Sequence, residues 1–211
     1  MDHDVWQYFI DICYKVLLFV LLFVAVVCFC FGVACGQDID GICQITHETD
    51  QGSVRWCGVA ISDSEVLTCA HHRVTGPVRL EFCAERHGNK YRVSLPGRVV
   101  LSDLKRDLSL IRYEIAPWMR MRSYVVGWPK GQAAIRGFLG GSCEIREGLP
   151  GRKGIEVDGF PVVEIRATCQ QGLSGSPLVH DYTVGGILIG SGGGVSHCVS
   201  PETILDWLEE K

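Results

Sequence analysis

The stretch CQQGLSGSPLVH, residues 169–180, sets a serine between glycines and puts a proline and an apolar run behind it. Glycine and serine gather at ordinary turns for conformational reasons, so on its own the stretch is a hairpin turn. Ser174 becomes a nucleophile only if a base stands ready to take its proton and a third group holds that base in the right tautomer. The reading therefore depends on what lies upstream.

Around that stretch, short apolar and β-branched runs recur: SVRWCGVAIS (53–62), EVLTCA (65–70), VRLEFC (78–83), YRVSLPGRVVL (91–101), DLSLIRY (107–113), YVVGW (124–128), VVEIRATC (162–169) and TVGGILIG (183–190). Gly, Pro, Asp and Ser clusters separate them, the pattern of strands joined by turns. The fold class expected is all-β. A less apolar bridge, EIAPWMRMRS (114–123), divides the strand-rich region into halves at about 51–115 and 122–200, which suggests two six-stranded antiparallel β-barrels. A single β-sandwich has the same composition and stays open. The end, SPETILDWLEEK, predicts a helix over 201–210, with Ser200 as N-cap, Pro201 at its first position and Ile204, Leu205 and Leu208 as the apolar stripe.

The chain has 211 residues, a net charge of −4 and 11 cysteines. Lys and Arg are scattered without a basic block, which removes the electrostatic footprint of nucleic-acid binding. Val16 to Cys35 runs without a charge over a length that crosses a bilayer as a helix. A cleaved secretory signal needs a basic n-region and a shorter apolar core, whereas this chain begins MDHDVWQYFIDICYK with Lys15 as its one Lys or Arg. The organisation expected is a membrane anchor over 1–35 (span about 16–35), a linker over 36–50 and a folded domain over 51–211, hence a single-pass membrane protein. Lys15 favours a cytoplasmic N-terminus with the domain across the membrane, while unpaired cysteines suit a cytoplasmic domain, so the side is open. Seven cysteines (43, 57, 69, 83, 143, 169 and 198) fall in the domain, and no Cys-x-x-Cys or Cys/His spacing suggests zinc. No metal is expected.

VLTCAHH (66–72), RDLSLI (106–111) and GLSGSPLV (172–179) place His71, Asp107 and Ser174 in the chain order His, Asp, Ser, distinct from the orders of subtilisin and the α/β-hydrolases. LTCAHH resembles the LTAAHC around the base histidine of trypsin-like serine proteases, DLSLI their DIALL, and GLSGSPLV their GDSGGPLV. TVGGILIG is similar to their LVGIVSWG strand and ILDWL to the DWI of their C-terminal helix. The resemblance implies a chymotrypsin-like pair of barrels in which His71 takes the proton of Ser174, Asp107 holds the imidazole, and the backbone N–H groups of Gly172 and Ser174 form the oxyanion hole. It places Thr168 at the floor of the specificity pocket and Ile187, Leu188, Ile189 and Gly190 along its wall. A floor without a carboxylate disfavours Arg or Lys at the cleavage position. Acyl transfer by such a triad needs no cofactor.

The chain departs from the digestive pattern at two places. His72 stands where those proteases have the disulfide partner of the cysteine matched by Cys57, so that bridge cannot form; a pairing of Cys57 with Cys69 is conceivable. Leu173 replaces the Asp that binds a newly cut N-terminus, as in HtrA-type proteases and the membrane-anchored polyprotein proteases of sobemoviruses and poleroviruses. The plant-virus resemblance is the closer one, through the N-terminal membrane segment and a T-x-x-G-x-S-G signature that TCQQGLSG matches with one extra residue. It implies a polypeptide substrate, its own polyprotein included. An HtrA-like protease without its peptide-binding domain, or a catalytically silent binding module, are the alternatives. His72 adjoins the base, Asp103 is expected to be an exposed turn carboxylate, and His47, His87, His180 and His197 are expected to bond locally or face solvent, although His197 folding back would add a polar contact to the pocket.

Overall fold

The computed structural model describes residues 14–24, 38–86, 89–117, 119–140, 142–147, 149–150, 155–157 and 160–211. The chain divides into two units, Met1–Gln37 and Asp38–Lys211. In the first, residues 14–24 form a helix, α1, whose side chains are exposed. Among the described residues no helix is long and apolar enough to cross a membrane. Of the expected span 16–35, residues 25–35 lie outside the described residues.

The second unit holds two sheets. Strands β1 (Asp38–Thr49), β2 (Gly52–Ala60), β3 (Glu65–Thr68), β4 (Gly76–Arg86), β5 (Asn89–Asp103) and β6 (Leu108–Tyr113) pair in the order β2-β3-β6-β5-β4-β1, and a further β1–β2 pairing closes the ring. A ring without an edge is a barrel, and the open-sandwich alternative falls for this half. A seventh strand, β7 (Arg120–Arg122), lies parallel to Asp38–Asp40 on β1, so part of the expected bridge belongs to the sheet. Residues 38–49 are likewise not linker. They were missed as a strand because Asp38, Asp40 and Gly41 open the segment and because Cys43, Gln44, Ile45 and Thr46 are all buried, which erases the alternation of a half-exposed strand.

The second sheet follows the path β10 (Ser142–Glu147), β9 (Ala134–Leu139), β14 (Pro177–His180), β15 (Thr183–Gly192), β16 (Val195–Val199), β13 (Phe160–Arg166) and β11 (Leu149–Pro150). The short β8 (Val125–Val126) pairs with β15 and β12 (Ile155–Val157) with β13. Among the described residues, the expected six strands are six principal ones plus three short ones, nine in all. One core runs through both sheets, with Trp56, Phe82, Leu110 and Ile165 among its buried side chains. Each such burial contributes about 1.5–3 kcal/mol before chain entropy is set against it.

The chain ends in α2 (Pro201–Glu209). Ser200 is extended and its hydroxyl accepts from Thr203 N–H, with Pro201 in the first turn, as the sequence indicates. The buried face is Pro201, Thr203, Ile204 and Trp207, while Leu205 is 41 % exposed. Trp207, three positions after Ile204, replaces Leu205 in the stripe because side chains three and four apart share a face.

Candidate active site

His71 follows the end of β3, and Asp107 closes the turn between β5 and β6. Asp107 takes a left-handed backbone conformation (φ 53°), which Asp tolerates better than most side chains. That turn aims its carboxylate back at the end of β3. Oδ1 accepts from the backbone N–H groups of Ala70 (2.7 Å) and His71 (2.6 Å), and Oδ2 accepts from His71 Nδ1–H at 2.7 Å. An Asp107 that accepts at both oxygens places a ring proton of His71 on Nδ1. Nε2 is left with a lone pair, the form a general base needs.

The turn itself is clamped. Asp103 Oδ1 accepts from the N–H groups of Lys105 (2.8 Å) and Arg106 (3.1 Å), and the Arg106 guanidinium donates to Asp103 and, through two bonds of 2.8 and 2.6 Å, to Glu210 at the end of α2. Burial works against a charged Asp103, but the bonds from Arg106 and Lys105 outweigh it and hold the carboxyl below its usual value. Asp103 is thus an anchoring residue rather than an idle turn carboxylate.

Ser174 lies in the turn between β13 and β14. Its carbonyl accepts from Cys57 N–H on β2 (2.8 Å), and Gly175 N–H donates to Leu188 O on β15 (2.8 Å), so the turn is pinned between the sheets. Gly175 has φ 78°, and a Cβ there would collide with Cys57 O and Thr68 Oγ1. Leu173 N–H turns back to Gln170 O (3.2 Å), whereas the N–H groups of Gly172 and Ser174 meet no acceptor among the described residues. Gly172 at φ 97° makes that alternation possible. Ser174 Oγ makes no hydrogen bond to His71 in this conformation; the atom within reach of His71 Nε2 is Cys69 Sγ, at 3.8 Å.

A cavity of about 530 Å³ opens beside the His71–Asp107 pair, with Arg73, Ile189, Gly190 and His197 on its wall. The wall positions assigned from sequence divide. A register shift between Leu188 and Gly190 bulges β15 and turns Ile189 and Gly190 to the cavity. Ile187 (0 %) and Leu188 (2 %) are core, and Leu188 serves the site through its backbone. Thr168 is exposed in the loop after β13 and does not line this cavity, because its neighbour Cys169 turns inward and donates its N–H to Ser191 Oγ (2.9 Å). His197 does fold back to the cavity, whereas His47 and His180 face the carbonyls of Pro77 and Gln132 at 3.1 and 2.8 Å, and His87 lies outside the described residues.

His72 is half-buried, its ring 5.0 Å from that of Trp56. Burial, with the neighbouring His71 adding to it, pushes it down to about 4, so it is neutral at pH 7. Cys57, Cys69 and the other five described cysteines carry no disulfide. The Cys57 sulfur instead accepts from Phe138 N–H at 3.1 Å.

No family model and no curated protein matches the sequence. Solved structures do match. An inactive serine-to-alanine mutant of Rv3671c from M. tuberculosis aligns with a TM-score of 0.62 at 19 % identity, over 81 % of this chain and 86 % of that one. Deg5 aligns with a TM-score of 0.60 at 17 % identity, over 79 % and 86 %. The fold is chymotrypsin-like. The active form of the Rv3671c protease aligns similarly, with a TM-score of 0.61 at 18 % identity over 80 % of this chain and 79 % of its own.

Proposed function

We propose that this chain is a serine endopeptidase that hydrolyses polypeptides through an acyl-enzyme. The observation that carries the reading is the His71 imidazole, whose Nδ1–H is donated to a carboxylate anchored by two further N–H groups. Ser174 Oγ rotates toward Nε2, gives up its proton and attacks the scissile carbonyl. The N–H groups of Gly172 and Ser174 receive the charge that develops on the carbonyl oxygen, and each such donor lowers the barrier by about 3–4 kcal/mol. His71 then protonates the leaving amine. Asp107 stabilises the imidazolium without taking its proton.

The substrate chain would lie along the cavity beside Ile189 and Gly190, with His197 available to its polar side chains. The uncharged run from Val16 to Cys35 supports a tether at a membrane surface. Processing of a viral polyprotein at that surface draws on the plant-virus resemblance alone. The overall similarity to Deg5 supports an HtrA-like protease as the second reading.

A fluorophosphonate probe tests the chemistry directly. The expected result is one adduct, located by mass spectrometry on Ser174, absent in Ser174→Ala and strongly reduced in His71→Ala. A folded chain that takes no label would make it a binding module instead.

A further inference from the structure

The sequence carries no Cys-x-x-Cys spacing, yet Cys69, His71 and His72 bring one sulfur and two ring nitrogens within 4.8 Å of one another. We propose that these three side chains form a site for a thiophilic divalent cation of the Zn²⁺ kind, and that filling it takes the base out of the reaction. The regulatory half rests on the serine-hydrolase reading; the binding half does not.

Cys69 directly follows β3, and His71 stands two residues on, in the turn that Arg73 N–H closes on Ala70 O (2.8 Å), which brings the His71 ring back to the Cys69 sulfur. Zinc–sulfur and zinc–nitrogen bonds of about 2.3 and 2.0–2.1 Å at a tetrahedral angle put the two ligand atoms about 3.6 Å apart. Cys69 Sγ and His71 Nε2 are 3.8 Å apart. Metal-bound histidines almost always donate the other ring N–H to a carboxylate or carbonyl, which fixes the ring and raises its basicity. Asp107 already does this for His71. The geometry that readies Nε2 to take a proton therefore also readies it to take a metal.

His72 supplies the third ligand. Its Nε2 is buried and has no hydrogen-bond partner among the described residues, a cost the fold bears with no return in the triad. The His71 and His72 rings are 4.4 Å apart and the ligand atoms of the three side chains lie within 4.8 Å of one another, so binding must draw the His72 nitrogen inward from that spacing. His71 is 36 % exposed and borders the large cavity, which gives a cation its way in. On binding, the Cys69 thiol releases its proton to solvent and the sulfur bonds the metal as thiolate. The two positive charges are then balanced by that thiolate and the Asp107 carboxylate, and water completes the fourth position.

The test is titration of the full-length chain, held in detergent, with Co²⁺ as a spectroscopic probe and Zn²⁺ as competitor. The expected result is a 1:1 complex with a thiolate-to-cobalt band in the near ultraviolet and tetrahedral visible bands, displaced by Zn²⁺. The bands are lost in Cys69→Ala and His71→Ala, weakened in His72→Gln and kept in Cys143→Ser, which removes an exposed thiol. His71→Ala trims a side chain at the surface, so loss of the bands there reports the site and not the fold. Saturating Zn²⁺ should slow fluorophosphonate labelling about tenfold or more, and that protection, taken against each variant's own metal-free rate, should vanish in Cys69→Ala. No bands in the wild type, or bands that survive both alanine variants, overturn the site. A metal-free chain that fails to label while the cobalt bands are intact overturns the hydrolase reading and leaves the site standing.

Discussion

Gly175→Ala probes how the turn that carries Ser174 is held. At φ 78° an L side chain carries a backbone penalty of about 1–2 kcal/mol. The new Cβ would also fall inside van der Waals contact with Cys57 O and with Thr68 Oγ1, which is itself bonded to Cys57 O at 2.5 Å. Overpacking of that kind costs about 1–3 kcal/mol. Neither neighbour yields freely, because one is backbone and the other is tied to it. The total of about 2–5 kcal/mol lowers the melting temperature by roughly 5–15 °C for a domain of this size. If the turn escapes by moving, it gives up the Cys57–Ser174 bond, and a 1 Å misplacement of Ser174 costs about 100-fold in labelling rate. Gly172→Ala is the control. Its φ of 97° carries the same kind of backbone penalty, but the nearest atom to the added Cβ is Leu139 Cδ1 at an ordinary 3.5 Å. Thermal unfolding and fluorophosphonate labelling of the two variants should differ, with Gly175→Ala the more damaged in stability. Equal losses would refute the claim that close approach to β2 and β3 pins the turn.

Asp107→Asn keeps an oxygen for the two backbone N–H groups but sets an amide NH₂ against His71 Nδ1, which forces the proton onto Nε2; labelling should fall about 10⁴-fold with melting little changed. Glu210→Ala releases Arg106 from α2, and since the pair is exposed to solvent the melting temperature should change little, while the looser turn before Asp107 lowers kcat for a peptide substrate more than it raises KM. The folded-state pKa of Asp103 is depressed, so its contribution to stability is present above the ordinary carboxylate pKa and lost as pH falls through the folded value; the melting-temperature gap between wild type and Asp103→Asn should therefore be open at pH 7 and close in acid. Cys57→Ala strands the buried Phe138 N–H and leaves a small void, which predicts a loss of about 2–4 kcal/mol in urea unfolding, with Cys57→Ser losing less.

Strands with a regular turn on either side were legible in the sequence, and so were the capped helix and the order His71, Asp107, Ser174. Those signals are local: a run of β-branched residues, a Ser-Pro start, a motif. β1 was hidden because both its faces are covered, and β9 because Arg136 and Gly137 interrupt a short apolar run. Arg136 is there to reach Asp40 Oδ2 at 2.9 Å, a contact across 96 positions that no window can see. The site followed the same rule. The pairing of His71 with Asp107 could be anticipated from the motifs, but the wall residues could not be sorted, since a bulge at Leu188–Gly190 decides which of them face the cavity. Arg106 and Glu210 were invisible for the reason that Arg136 was: their meaning is a contact across the chain.

His72 changes the role of Cys57. A cysteine there would bind Cys57 covalently and staple β2 to the end of β3. With histidine in its place, the Cys57 thiol accepts from Phe138 N–H on β9, and its sulfur lies 3.6 Å from Gly172 O. Cys57 also donates its own N–H to Ser174 O and accepts from Thr68 Oγ1. In place of a covalent bond within the first barrel, the Cys57 sulfur makes three weak contacts, with Phe138 N–H, Phe138 O and Gly172 O, which join that barrel to the second sheet and to the turn that carries Ser174, beside the backbone bond to Ser174 O. Each contributes about 1 kcal/mol at most, so the turn is held by their number and by the closeness that Gly175 permits. The same replacement leaves an imidazole with an unpartnered nitrogen beside the base. If the proposed cation site beside His71 fills, the position that carries a disulfide cysteine in the digestive pattern instead supplies a metal ligand next to the proposed base.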